Sequence, residues 1–324
     1  MAWINETSRR TEAVDRRTPP DVVSELPAGD QAASLRQTRL VGYAMLLVTA
    51  SAWGVNWPVG KYLLHDLPPL AMRGVPGSVG ALLLAAVAIA QGVPLRVPRD
   101  RWPRLVLFSA LNVTCWMALV GLALVYLPAS ETAVIGATMP VWAAALAWPI
   151  LGERLTARRL IAMAMAIAGL AVLMGGDGIA ANQAKLPGII YALLAAFGFA
   201  LGAVLTKRRP LQLPPLNAAV WQLVIGCVPL ALFSVLFEQP HFTQLSGFGW
   251  TLFAYAAVVQ MCIGYFCWFG ALERLPASVA AIGTLLVPVI GVVASALSLG
   301  EPLGVSQIGA LALTMAGVVI ASRS

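Results

Sequence analysis

The chain is poor in charge. Only 11% of its 324 residues are Asp, Glu, Lys or Arg, whereas 59% are apolar, and mean hydropathy is +0.82. Soluble domains carry about 25% charged residues and roughly 45–50% apolar ones. A soluble globule with this composition would expose large apolar patches. A water-soluble enzyme, a secreted module and a disordered chain are excluded, and a polytopic membrane protein remains. Histidine is nearly missing, with His65 and His241 both expected in loops. Neither a His-based dyad, nor two deep carboxylates, nor a clustered ligand set is present for an embedded enzyme, a metal or a cofactor. The four cysteines, Cys115, Cys227, Cys262 and Cys267, fall inside apolar runs and read as small core residues without a disulfide framework.

Deep acidic residues are scarce as well. Most of the 14 Asp and Glu lie in the N-terminal segment or in loops, and only Glu131 and Arg73 approach the membrane from span ends. These two stand where they could pair or form part of an outer gate. A cation-drug antiporter trades drug for proton at a deep carboxylate, and a phosphorylated-sugar carrier needs several buried cations; this chain offers neither. The expected solute is therefore neutral or zwitterionic with apolar bulk, and facilitated diffusion is the expected mechanism. The alternative is a proton-coupled exporter of other hydrophobic metabolites or drugs.

What the chain does have is apolar runs. A membrane helix needs about 20 mostly apolar residues. Breaking the sequence at its charged and Pro-rich clusters yields ten runs, near 40–62, 68–91, 104–126, 130–151, 158–175, 187–206, 215–237, 247–271, 277–299 and 303–322. The net charge of +7 and pI of about 9.6 would suggest nucleic acid in a soluble chain. Here they fit basic cytoplasmic loops instead, and no nucleic-acid partner is expected. With a cytoplasmic N-terminus, every Lys and Arg except Lys61, Arg73 and Lys185 falls on the inner side. The expectation is a multi-pass protein of the cell inner (plasma) membrane with both termini cytoplasmic. Its partners are the bilayer and a small-molecule substrate. A monomer suffices, and no oligomeric partner is specified. Residues 1–39, with Thr18-Pro19-Pro20 and Pro27-Ala28-Gly29, read as a disordered cytoplasmic tail without a cleaved signal.

The chain also repeats itself at a shift of 148 residues. Leu127-Pro128-Ala129-Ser130 matches Leu275-Pro276-Ala277-Ser278, and Pro140 matches Pro288. Leu151-Gly152-Glu153 matches Leu299-Gly300-Glu301, and Ala168-Gly169 matches Ala316-Gly317. A weaker match pairs Trp53-Gly54 with Phe197-Gly198. Five helices per copy is an odd number, so the second copy enters the membrane upside down. The fold class is then all-α integral membrane, with ten transmembrane helices as two inverted five-helix repeats. The first spans 40–175, a linker 176–186, and the second 187–322. Inverted repeats are a transporter architecture with the substrate near mid-membrane.

These motifs, with Trp53-Gly54-Val55-Asn56, Arg73 and Leu151-Gly152-Glu153-Arg154, resemble the ten-helix EamA-type branch of the drug/metabolite transporter superfamily. The resemblance covers about residues 40–322. It implies a metabolite carrier, commonly an exporter, and within the branch the chain is most similar to the YddG-type aromatic amino-acid exporters.

Candidate site residues lie mid-span. Trp53, Asn56, Trp57 and Gly60 follow an i, i+3, i+4, i+7 spacing and share a face. Asn112 and Trp116 are four apart, as are Thr138 and Trp142; Phe197, Gln260 and Tyr265 lie at similar depth, with Gln260, Gly264 and Trp268 on one stripe. Together they suggest an aromatic-walled cavity with sparse polar handles, although Asn and Gln also serve simply to join helices. Pro140 and Pro288 sit mid-depth as candidate gating kinks.

Overall fold

In a computed structural model of the chain, residues 28–322 are described, except 154–155, 176–177, 277–278 and 280–282; the side chains of 28–35, 158–159, 174–182 and 321–322 are also left aside. All regular structure among the described residues is helical. We label the helices α1 Ala28–Leu63, α2 Ala71–Ala90, α3 Arg99–Tyr126, α4 Ala129–Leu151, α5 Ala157–Gly175, α6 Gly178–Arg208, α7 Pro215–Phe237, α8 Gly247–Arg274, α9 Leu286–Leu299 and α10 Val305–Ser322. Seven of them (α1–α4 and α6–α8) contain segments long and apolar enough to cross a membrane, and α5, α9 and α10 contribute shorter apolar stretches. The first helix begins at Ala28, inside the stretch expected to be a tail, and α6 begins at Gly178, inside the expected linker. The rest of the expected tail, residues 1–27, lies outside the described residues, as do Ala277 and Ser278 of the repeated motif.

Glycine and proline set the helix ends. Gly152 and Gly300, 148 residues apart, cap α4 and α9 in the left-handed conformation at φ 71° and 67°, where a Cβ would be strained. Leu127 and Leu275, again equivalent, leave their helices with extended backbone immediately before a proline. The outer surface of the bundle is apolar: Leu297, Val305, Leu236 and Phe237 all stand mostly exposed, which only a lipid surround makes favourable.

Helices approach closely where side chains are smallest. A Cβ on Gly169 of α5 would stand 3.0 Å from the Ala310 carbonyl of α10, and one on Gly317 of α10 would stand 2.9 Å from the Ala162 carbonyl of α5. Gly317 is the repeat partner of Gly169, and Ala310 that of Ala162, so the two contacts are the same contact made twice. Residue 162 meets 317 and residue 169 meets 310; hence the two helices run antiparallel. The α2–α7 crossing, also between equivalent helices, has this sense too: Gly74 meets Ala231, and Gly77 meets Cys227. The remaining packing is reciprocal. Helix α1 packs on α8 and α9, and its counterpart α6 on α3 and α4.

Candidate functional site

Two helices are locally unwound at matching places. Within α3, Ala110–Cys115 forms a π turn, and within α8, Tyr255–Ile263 does so. Both end at equivalent residues, Cys115 and Ile263, and each carries one amide at the same repeat position, Asn112 and Gln260. A π turn widens the helix and loosens its hydrogen-bond ladder, and such turns concentrate at functional sites. Here the Gln260 carbonyl accepts a hydrogen bond from the Trp53 indole N–H of α1 at 3.2 Å. Asn112 donates to the Gln222 side chain of α7 at 3.2 Å, while its Oδ1 is buried against Gly202 without a partner.

The expected face of α1 meets several neighbours. Trp53 packs on Tyr265 at 5.3 Å and Trp268 at 5.8 Å, both from α8. Trp57, one turn on, packs edge-on against Trp116 of α3 at 6.3 Å, and Trp116 against Phe199 of α6 at 5.6 Å. Gly136 of α4 and Gly291 of α9 make room for the Trp57 ring, since a Cβ on Gly291 would come within 2.6 Å of it. Between these two tryptophans lies Asn56, only 6% exposed, and among the described residues nothing hydrogen-bonds its amide. The Gln260 side chain, 8% exposed, is likewise unengaged. Trp142 and Phe197 form a separate edge-on pair at 5.7 Å, with no ring contact to the Trp57 group among the described residues.

The expected kinks are full breaks. Helix α4 stops at Gly136 and restarts at Met139, so Pro140 occupies the second position of a new helix. Before Pro288, the chain turns at residues 284–285 and restarts at Leu286. The Val141 N–H reaches only to Thr138 and the Val287 N–H to Thr284, three residues back in each case.

Arg73 and Glu131, the buried charged residues among those described, lie at the end of the bundle that carries Lys61. The Lys61 ammonium donates to the Leu124 and Leu127 carbonyls at 2.6 and 2.9 Å, holding the last turn of α3. Glu301 accepts from the N–H groups of Ala129 (2.7 Å) and Ser130 (2.9 Å) and from the Ser130 hydroxyl, capping α4 from across the bundle. Glu238 caps α2 in the same way through the N–H groups of Leu70 and Ala71. Glu131 is buried and pairs with Lys185 at 2.7 Å. That replaces the considered pairing with Arg73: among the described residues no ion pair joins the two. Arg73 is buried rather than reaching outward, because it sits on the third residue of α2, facing α1 and α3. A cavity of about 510 Å³ opens at this end, lined by Lys61, His65, Asp66, Pro69, Leu124 and their neighbours. At the opposite end Lys207 pairs with Glu153, the repeat partner of Glu301, at 2.8 Å.

Sequence reasoning missed the roles of Phe199, Glu238, Glu301 and Lys61. The recurrence of Glu153 at Glu301 was the one available signal. No group of three or more His, Cys, Asp or Glu positioned to hold a metal occurs among the described residues.

An all-helical bundle with a lipid-facing exterior, a doubled packing pattern and a polar-studded aromatic interior defines a membrane transporter. The chain belongs to the EamA-like transporter family, whose model matches twice, over residues 40–175 and 186–323. The uncharacterized transporter YvbV of Bacillus subtilis is 31% identical over 83% of this chain and 87% of its own length. A probable amino-acid metabolite efflux pump of Salmonella typhimurium is 31% identical over 87% of this chain and 95% of its own. A probable terminal-alkyne amino-acid exporter of Streptantibioticus cattleyicolor is 28% identical over 86% and 92%. One crystal structure, at 21% identity, superposes with a TM-score of 0.61 over 88% of this chain and 96% of its own, a likeness of fold.

Proposed function

We propose that this transporter exports small neutral or zwitterionic metabolites, amino acids with aromatic or apolar side chains foremost, by alternating access and facilitated diffusion. The observation that carries the reading is the contact made twice, Gly169 on Ala310 and Gly317 on Ala162, between antiparallel helices. A twofold axis relating two such helices lies across them, that is, in the membrane plane, which supports ten spans in two inverted copies as the reading. One scaffold with two interchangeable packings has the minimum needed to open to either side in turn.

Substrate contacts are assigned to Trp53, Asn56, Trp57, Asn112, Trp116, Trp142, Phe197, Gln260 and Tyr265. Asn56 and Gln260 are placed first, because their side-chain amides have no hydrogen-bond partner among the described residues and so remain open to a ligand or water. Aromatic walls suit apolar side chains. The breaks before Pro140 and Pro288, with the Glu131–Lys185 pair, are the gating elements in this reading. The concentration of basic residues at the Lys207 end supports a reading in which that end is cytoplasmic and the Lys61 end external in an inner (plasma) membrane. Two relatives named for amino-acid efflux or export support the substrate class.

The test is purified full-length protein in liposomes, with labelled phenylalanine, tryptophan, methionine and threonine followed with and without a pH gradient. Saturable counterflow of the aromatic amino acids, unaffected by the gradient, is expected. Transport of none of them rejects the substrate class, and acceleration by the gradient favours a proton-coupled exporter.

A further inference from the structure

We propose that Arg73 is a carboxylate-anchoring site on the external limb of the transport path, a refinement that rests on the amino-acid reading above. Arg73 is 6% exposed, and neither its Nε nor its Nη2 has a hydrogen-bond partner among the described residues. Those two nitrogens form one edge of the guanidinium, the edge that takes both oxygens of a carboxylate side by side. A buried, uncompensated cation is unfavourable, and structures supply it with a counter-ion or a ligand.

Three carboxylates at this end are otherwise engaged. Glu238 spends its oxygens on Leu70, Ala71 and Ser234, Glu301 on Ala129 and Ser130, and Glu131 pairs with Lys185. Asp66 lines the cavity, and no ion pair connects it to Arg73.

The seat of the guanidinium is built by absent side chains. A Cβ on Gly60 would come within 2.8 Å of Nη2, and one on Gly121 within 3.4 Å of the Arg73 Cγ. Leu124 packs at the same Gly60 position, and the Pro69 carbonyl abuts Gly121. Leu124 and Pro69 also line the 510 Å³ cavity together with Lys61. Leu124 and Pro69 thus border both the cavity and the seat of the guanidinium, while Arg73 itself is not among the residues that line the cavity. Lys61, whose ammonium donates to the Leu124 and Leu127 carbonyls, adds a second positive charge beside the approach.

The experiment compares phenylacetate with phenylacetamide as competitors of labelled phenylalanine in proteoliposomes of the full chain. The wild type is expected to be inhibited about tenfold more strongly by the acid, the discrimination of one charge-assisted fork. Arg73→Gln removes that preference and raises KM, Arg73→Lys restores part of it, and Gly60→Ala weakens it by filling the seat while keeping the charge. Equal inhibition of the wild type by acid and amide overturns the proposal, as does a preference that survives in Arg73→Gln. If Arg73→Gln does not fold, the wild-type comparison and Gly60→Ala decide. If the wild type moves no phenylalanine, the amino-acid reading fails, and the site is judged by thermal stabilisation of the purified protein. A larger shift with phenylacetate than with phenylacetamide then sustains an anion site, and equal shifts overturn it.

Discussion

Glu301 reaches across the bundle to cap a helix to which it does not belong, and removing it has a calculable cost. Every residue of Ala129–Gly136 is buried, so the N–H groups at the start of α4 have poor access to water. Glu301 satisfies two of them, at Ala129 and Ser130, and takes the Ser130 hydroxyl as well. Hydrogen bonds to a charged group contribute about 1.5–3 kcal/mol each, and loss of an N-cap costs about 0.5–2 kcal/mol. Glu301 itself is half-buried at the end of the bundle, where water can replace part of what is lost. We therefore expect Glu301→Ala to cost about 2 kcal/mol, and Glu301→Gln roughly half of that, because its amide has one acceptor in place of two. At about 2–4 °C per kcal/mol, the alanine variant melts about 4–8 °C lower. The assay is thermal unfolding of detergent-purified protein, followed by tryptophan fluorescence. An alanine variant that melts within about 1 °C of the wild type refutes the cross-bundle cap.

Three further outcomes are expected. Asn56→Leu should leave stability unchanged or slightly raised, since the amide has no protein partner to lose, while transport in liposomes falls at least about tenfold; a destabilised variant with normal transport would make Asn56 a packing residue. Gly169→Leu and Gly317→Leu should each reduce the yield of folded protein on size exclusion to a similar degree, because each overpacks the same contact by about 1–3 kcal/mol; tolerance of one and not the other would deny the equivalence. Glu131→Gln alone should destabilise by about 1–3 kcal/mol by removing the charge that Lys185 pairs with, and Glu131→Gln with Lys185→Met should lose less than the sum of the two single changes in thermal melts. Additive losses would mean that the pair is not coupled.

The helices were legible in the sequence because a membrane demands long apolar runs and because glycine and proline end them. The runs near 68–91 and 215–237 agree with α2 and α7 to within a few residues. The start of α1 was not, since residues 28–39 lack the apolar signal and are helical only as an extension of the span that follows. The repeat of Gly169 at Gly317 was readable, but not that each would touch the partner of the other's contact. The π turns around Asn112 and Gln260 leave no local signature, because a widened turn is stabilised by what packs against it, here the Trp53 indole and Gln222. The caps by Glu238 and Glu301 join residues 167–172 positions apart and belong to tertiary structure alone. Arg73 was visible as an isolated cation near the membrane; its burial and its unpaired edge depend on Gly60 and Gly121, from two other helices.

The most direct measurement labels one structural position in its two copies. Tyr126 and Arg274 are repeat partners at the ends of α3 and α8. In a variant whose four native cysteines are replaced, Tyr126→Cys and Arg274→Cys are introduced singly, and intact cells are treated with a membrane-impermeant maleimide. Inverted copies predict labelling of Tyr126→Cys from outside and of Arg274→Cys only after permeabilisation. Labelling of both from the same side would contradict the inversion and the carrier mechanism built upon it.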